Sequence, residues 1–117
     1  MRACLAEELV VEDRRRTGTG RVDGREAYMQ SLVAMSELVT DARLEGGQFW
    51  LAVAPDCGLF TLRLVGNVLG GGEFEIEYLE LLSVQGGRTR RLEFFEIDAA
   101  DAALARFEEL RAEIARE

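Results

Sequence analysis

The chain has no histidine and no lysine, a single proline and only two cysteines among its 117 residues. The lack of histidine removes the commonest metal ligand and the commonest general base near neutral pH, so acid-base chemistry must rest on carboxylates or tyrosine. Cys4 and Cys57 lie far apart without a metal-binding spacing, which indicates isolated thiols rather than a disulfide or a nucleophile. We therefore expect neither a metal nor a cofactor.

Long apolar runs are also missing. No run of about eighteen apolar residues and no charged-then-apolar leader is present, so the sequence predicts neither a membrane span nor a secretory signal. The net charge is −8, which opposes the electrostatic attraction that drives nucleic-acid binding. We expect a cytoplasmic protein that binds neither nucleic acid nor membrane.

At 48% hydrophobic residues, residues 1–117 are expected to form one domain with its own core. The chain is organised around residues 74–97, FEIEYLELLSVQGGRTRRLEFFEI, which read as a long antiparallel hairpin with its turn at Gly86-Gly87. Alternation separates two faces of the first arm. One face carries Glu75, Glu77, Leu79 and Leu81, and the other carries Phe74, Ile76, Tyr78, Leu82 and Val84. Because the second face is too apolar to stay in water, we expect it to form a homodimer, with Phe74, Ile76, Tyr78 and Leu82 in the interface.

The segments before the hairpin alternate between helix and strand. Residues 2–8 are expected to end a helix and residues 9–15 to form a short strand. Asp23 is expected to cap a helix that runs to about Val39, with a core stripe of Tyr28, Leu32, Met35 and Val39. A strand should start at Asp41, bulge at Gly46-Gly47 and continue over residues 48–54. After a turn at residues 55–58, a further strand is expected over residues 59–68.

The last segment is predicted to be a helix capped by Asp98, with an apolar stripe of Leu104, Phe107, Leu110 and Ile114. The order of elements predicts an α+β domain in which helices lie on one side of a curved antiparallel sheet. Such a sheet can wrap around a helix and leave a cavity at its open end.

This order, with the segments LVVEDRR, GREAYMQSL and RRLEFFEID, resembles the SnoaL-like branch of the nuclear transport factor two-like superfamily, which has a cone-shaped fold. The resemblance extends to ketosteroid isomerase, and it implies that Asp13 matches the catalytic aspartate and Tyr28 a pocket tyrosine. It also implies that Glu77 matches a protonated acid of the oxyanion hole. The first helix of that fold, which carries the main oxyanion tyrosine, is expected to be missing, as if residues upstream of Met1 were absent. Relatives that hydrolyse limonene epoxide need an acid-arginine-acid set, for which Arg15 or Arg63 could serve.

Two functions follow from the resemblance. The first is proton transfer on a small hydrophobic substrate by an isomerase, cyclase or dehydratase, with Asp13 as general base and Glu77 or Tyr28 stabilising the oxyanion. The pocket for the ligand would be lined by Arg15, Trp50, Arg63, Leu79, Leu81, Leu92 and Phe94. The second is a non-catalytic ligand-binding or oligomerisation module, for example the C-terminal part of a larger regulatory protein. In that case Asp13 would pair with Arg15 or Arg63, and Glu77 would lie in solvent.

Overall fold

The computed structural model describes residues 2–18, 20–45 and 49–117. In these ranges seven strands form one sheet and two α-helices pack against it. The elements are a 3-10 turn at Arg2–Cys4, β1 Leu5–Asp13, β2 Gly20–Asp23, α1 Arg25–Ser36, β3 Val39–Leu44, β4 Trp50–Ala54, β5 Cys57–Val68, β6 Glu73–Gln85, β7 Arg88–Glu96 and α2 Ala100–Ala115. The bulge predicted at Gly46-Gly47 lies outside the described residues.

The sheet has the strand order β2-β1-β7-β6-β5-β3. Strand β3 pairs with the C-terminal part of β5, and β4 pairs with the N-terminal part of β5. Strand β1 runs parallel to β7, while the other pairs are antiparallel. The sheet is curved, unclosed and mixed. The predicted α+β cone is therefore confirmed, with two corrections: the sheet is not antiparallel throughout, and the two helices lie on opposite faces of it rather than on one side.

The hairpin of β6 and β7 is confirmed as the centre of the sheet. Its turn contains Gly86 and Gly87, both at positive φ (61° and 78°), a conformation that glycine adopts without the steric cost of a Cβ atom. The pairing of Leu79 with Phe95 and of Leu82 with Leu92 sets the register of the two arms. Local turn chemistry thus fixes which residues of the two strands face each other.

The N-terminal helix expected over residues 2–8 is wrong, because Leu5 begins strand β1. Leu5, Leu9 and Val11 are buried, and the strand is held between β7 and β2. Pairing and burial therefore override the helical preference of the LAEEL segment. Strand β2 was not predicted.

The two predicted helix caps are also wrong. Gly24 and Ala99 occupy the N-cap positions, and neither helix has a side-chain cap. Asp23 instead accepts a hydrogen bond from Arg21 Nε at 2.8 Å. The N-cap of each helix therefore lies one residue after the aspartate that the sequence suggested as its cap.

The two helices lie on opposite faces of the sheet. Helix α2 buries Ala103, Phe107 and Leu110 in the larger core cluster with Leu59, Leu79, Leu81, Phe95 and Cys57. Leu104, expected in this stripe, is 36% exposed. Helix α1 has no fully buried residue and contributes Tyr28 and Met29 to a smaller cluster around Leu9, Val11 and Leu92. We call the two sides of the sheet the α2 face and the α1 face.

Candidate functional site

The α1 face carries two carboxylates that the strand register brings together. Asp13 lies opposite Phe94 on β7, and Phe94 lies opposite Glu80 on β6. Residues directly opposite each other on neighbouring strands point to the same side of a sheet. Asp13 and Glu80 therefore share the α1 face, with Tyr78 and Leu82 two residues away from Glu80 on the same strand.

Glu80 is the carboxylate whose protonation is most affected by the fold. Its side chain is partly buried, and burial raises its pKa to about 7. The charge of Glu80 in turn raises the pKa of Tyr28 and of Tyr78, so both phenol groups lie within its electrostatic reach. For both tyrosines burial is the larger cause, and the pKa reaches about 12. Near neutral pH this site therefore holds two neutral phenols and a carboxyl group close to its titration midpoint.

Asp13 makes a two-pronged ion pair with Arg15. Nε of Arg15 donates to Oδ1 at 2.8 Å and Nη2 donates to Oδ2 at 2.7 Å, and the backbone N–H of Arg15 donates to Oδ1 at 3.2 Å. The two side chains are 6% and 21% exposed. Gly18 packs directly on the Asp13 carboxyl group, at a distance that would not admit a Cβ atom. The loop after β1 is thus folded closely over the aspartate.

The structure brings some of the predicted site residues together and separates others. Asp13, Arg15, Tyr28, Leu92 and Phe94 meet on the α1 face. Trp50 lies on the same face, because it is opposite Phe60 on β5, with ring centroids 4.8 Å apart. Arg63, Glu77, Leu79 and Leu81 belong to the other face.

Glu77, expected to stabilise an oxyanion at the same site as the base Asp13, lies on the opposite face of the sheet from Asp13. Glu77 is exposed and lies opposite Arg63, whose Nε donates to Glu75 at 2.7 Å. Leu79, two residues further along the same strand, is buried under α2. Leu79 therefore does not line an opening on the α1 face. The physical reason is the two-residue period of a strand, which turns positions 77 and 80 to opposite sides.

Glu80 and Tyr78 are the site residues that sequence reasoning missed. The signal was present, because the alternation that places Tyr78 and Leu82 on one face also places Glu80 between them. A carboxylate within an otherwise aromatic and aliphatic face is the pattern expected of a buried titratable group.

A second group of charges lies on the α2 face. Glu93 is fully buried and accepts hydrogen bonds from Arg14 Nε at 3.0 Å, Arg91 Nε at 2.5 Å and Arg106 Nε at 3.0 Å. Burial alone would raise the pKa of Glu93, but its hydrogen bonds and the charges of Arg91 and Arg106 lower it. Because these arginines come from three different segments, the cluster ties α2 and the end of β1 to β7. We assign it a structural role.

Two clefts of the described chain lie away from Glu80. One of about 390 Å³ is bordered by Arg43, Arg63 and Phe74. The other, of about 480 Å³, lies between the end of α2 and the β6–β7 turn. Among the described residues, no group of three or more cysteine, aspartate or glutamate side chains could hold a metal ion. No helix in the described ranges is long and apolar enough to cross a membrane.

No family model and no curated protein sequence matches the chain. Solved structures do. An NTF2-like protein from Anabaena variabilis is similar with a TM-score of 0.69 and 16% identity, over 80% of this chain and 69% of that one. A hypothetical protein from Catenulispora acidiphila, which has a ketosteroid isomerase-like fold and was solved with trimethylamine, gives a TM-score of 0.66 and 14% identity over 82% and 72%.

A provisionally assigned SnoaL-like polyketide cyclase from Jannaschia sp. is similar with a TM-score of 0.64 and 15% identity, over 86% of this chain and 72% of that one. Likeness at such identities concerns the arrangement of the backbone rather than the chemistry of the site. The chain therefore has an NTF2-like, cone-shaped fold, as these solved structures do.

Proposed function

We propose that the α1 face binds a small apolar ligand with a carbonyl or hydroxyl group and moves a proton on it, with Glu80 as the proton carrier. The observation that supports this most is the pKa of Glu80, which burial raises to about 7. A group whose pKa lies near the working pH is the most efficient general acid or base, because both of its forms are populated. Tyr28 and Tyr78 beside it are neutral hydrogen-bond donors for a developing oxyanion.

Asp13, the base that the resemblance implies, is the competing proton carrier. Both of its carboxylate oxygens accept hydrogen bonds from Arg15, and such charge-assisted bonds stabilise the ionised carboxylate, so the ion pair opposes proton uptake. For Glu80, burial is the cause of the raised pKa, and no cation among the described residues lowers it. The electrostatics therefore favour Glu80 as the proton carrier, and the role of Asp13 in this proposal is to hold Arg15.

The ligand class follows from the surrounding side chains. Phe60, Phe94 and Trp50 lie on the same face as Glu80. The rings of Tyr78 and Phe94 contact each other edge to face. Such a surface favours a flat or cyclic apolar body. A provisionally assigned isomerase and a provisionally assigned SnoaL-like polyketide cyclase share this fold, and proton transfer beside a carbonyl group could serve a reaction of either kind. We infer an enolisable cyclic ketone, or a related phenol, as the ligand.

Proton exchange in heavy water tests the proposal without knowledge of the natural substrate. The wild type should exchange the protons next to the carbonyl group of apolar cyclic ketones, as measured by nuclear magnetic resonance. Glu80→Gln should reduce the rate by roughly 100-fold or more, and Glu77→Gln, on the same strand but facing away, should keep it. A wild-type rate equal to that of buffer would refute the catalytic function. If Asp13→Asn abolished the exchange and Glu80→Gln did not, Asp13 rather than Glu80 would be the proton carrier.

One observation favours the alternative of a non-catalytic binding or oligomerisation module. Leu44, Trp50, Val53 and Ile76 are 58%, 55%, 68% and 42% exposed, and the register places them all on the α1 face. Monomeric proteins seldom leave a contiguous apolar surface of this kind uncovered. If this face serves only as a binding or subunit surface, the exchange rate will be that of buffer.

A further inference from the structure

The two tyrosines beside Glu80 differ in their electrostatic surroundings. Burial, Glu80 and Asp13 all raise the pKa of Tyr28, and no cation among the described residues acts in the opposite direction. Burial and Glu80 also raise the pKa of Tyr78, but there Arg15 lowers it, and this effect exceeds the opposing effect of Asp13. A single cation therefore distinguishes the two phenols.

Arg15 lies over the ring of Tyr78. The carbon at the centre of its guanidinium group is 4.8 Å from the Tyr78 ring centroid and 5.5 Å from that of Phe94. The two rings are themselves nearly perpendicular, with centroids 5.6 Å apart. A guanidinium group within about 6 Å of a ring centroid is attracted to the negative face of the ring. The contact both holds the Tyr78 ring and adds positive potential beside its oxygen.

Asp13 holds Arg15 in this position. Its two oxygens accept from Nε and Nη2, which fixes the plane of the guanidinium group as well as its place. The chain from Asp13 through Arg15 to Tyr78 thus consists of one two-pronged ion pair and one cation-ring contact.

We propose that Tyr78, positioned and polarised by Arg15, donates the hydrogen bond to the ligand's oxyanion, and that Tyr28 only lines the site. This rests on the proposed proton transfer at Glu80 and names the residue that would stabilise the charge produced there. A donor takes on part of the negative charge of the oxyanion, so a cation above its ring makes it a stronger donor. Arg15 is a positioning residue in this proposal, because it acts through its contact with Tyr78.

The first test needs no ligand. Difluorotyrosine, which titrates several pH units below tyrosine, is placed at position 78 or at position 28, and its ionisation is followed by ultraviolet absorption. Arg15→Met should raise the pKa measured at position 78 by about 0.5 to 1 unit, and that at position 28 by less than about 0.2. Arg15→Lys should restore part of the shift, because it keeps the charge.

Arg15→Met leaves Asp13 without its arginine, so the double variant Asp13→Asn/Arg15→Met provides a second measurement if the single variant does not fold. It should still raise the pKa at position 78, since Arg15 outweighs Asp13 there. No shift at position 78, or equal shifts at both positions, would overturn the role of Arg15.

A second arm measures the donor role, with a naphthol as the ligand and its ionised fraction read by absorption. Tyr78→Phe should weaken binding of the naphtholate roughly tenfold or more, and Tyr28→Phe less than about threefold. The reverse order would overturn the assignment. If the wild type bound no naphthol, the proposed function and the donor role would both fall, while the titration would still report separately on the contact between Arg15 and Tyr78.

Discussion

The stability of the Glu80→Gln variant relative to the wild type should increase as the pH rises from acidic to alkaline values. Burial raises the pKa of Glu80 from its ordinary value of 4.5 to about 7. Between these two values the folded protein keeps a proton that the unfolded chain has released. The unfolded state then binds fewer protons, so wild-type stability falls as the pH rises through this window. Below it both states are protonated, and above it the loss is complete.

The size of the effect follows from the shift. At about 1.36 kcal/mol per pKa unit, a change of roughly 2.5 units sets an upper limit near 3.4 kcal/mol. Because the side chain is partly exposed, water weakens the penalty, and we expect about 2 kcal/mol. Glutamine does not titrate, so the difference in unfolding free energy between Glu80→Gln and wild type should grow by this amount between about pH 4.5 and pH 8.

Urea unfolding, followed by the fluorescence of the only tryptophan, measures this difference at several pH values. The change of the difference with pH is the quantity to compare, because any constant cost of the amide cancels. Glu77→Gln is the matched control, because it makes the same substitution on the same strand at an exposed position. If the Glu80→Gln difference changed by less than about 0.5 kcal/mol, Glu80 would not be a desolvated carboxyl group, and its assignment as proton carrier would lose its basis.

Four further predictions follow from other contacts. Asp13→Asn should destabilise the protein at neutral pH by about 1–3 kcal/mol in urea melts, because it breaks the pair with Arg15; a more stable variant would contradict the pairing. Phe107→Ala should cost about 3–5 kcal/mol, since the ring is 3% exposed; a loss below about 1 kcal/mol would mean that α2 is not docked. Glu93→Gln should cost about 3 kcal/mol or more by removing the buried charge that Arg14, Arg91 and Arg106 share, and a neutral result would show that the cluster is not structural. A homodimer is expected from light scattering at micromolar concentration, and Ile76→Glu, which places a charge on the exposed apolar part of the α1 face, should shift it toward monomer.

The sequence was most informative where local chemistry decides the structure. The Gly86-Gly87 turn, the alternation of β6 and the apolar face of α2 each depend on neighbours within a few residues. The start of β1 could not be predicted in this way, because its LAEEL segment favours a helix and becomes a strand only by pairing with β7. For the same reason the parallel pair and the added strand β2 were not foreseen.

The predicted dimer face shows the same limit. Leu82 packs in the cluster under α1, and Tyr78 lies against Phe94 and beneath Arg15. Ile76, by contrast, remains 42% exposed. Alternation told which residues share a side, but not that one end of this side is covered by the chain itself. The dimer therefore remains a prediction, and it now concerns the exposed end of the α1 face.

The site depends on both kinds of information. Asp13 and Arg15 are only two residues apart, at the end of one strand. An ion pair in which two N–H groups of the arginine bind the two carboxylate oxygens could therefore be anticipated from the sequence. Its position relative to Glu80 is set by two strand pairings, from β1 to β7 and from β7 to β6, that span the width of the hairpin. A shift of β6 by one residue would turn Glu80 to the α2 face and bring Glu77 to the α1 face. The chemistry proposed for this chain therefore depends on the register that Leu79, Leu81 and Phe95 fix by their burial under α2: the core on one side of the sheet decides which carboxylate is available on the other.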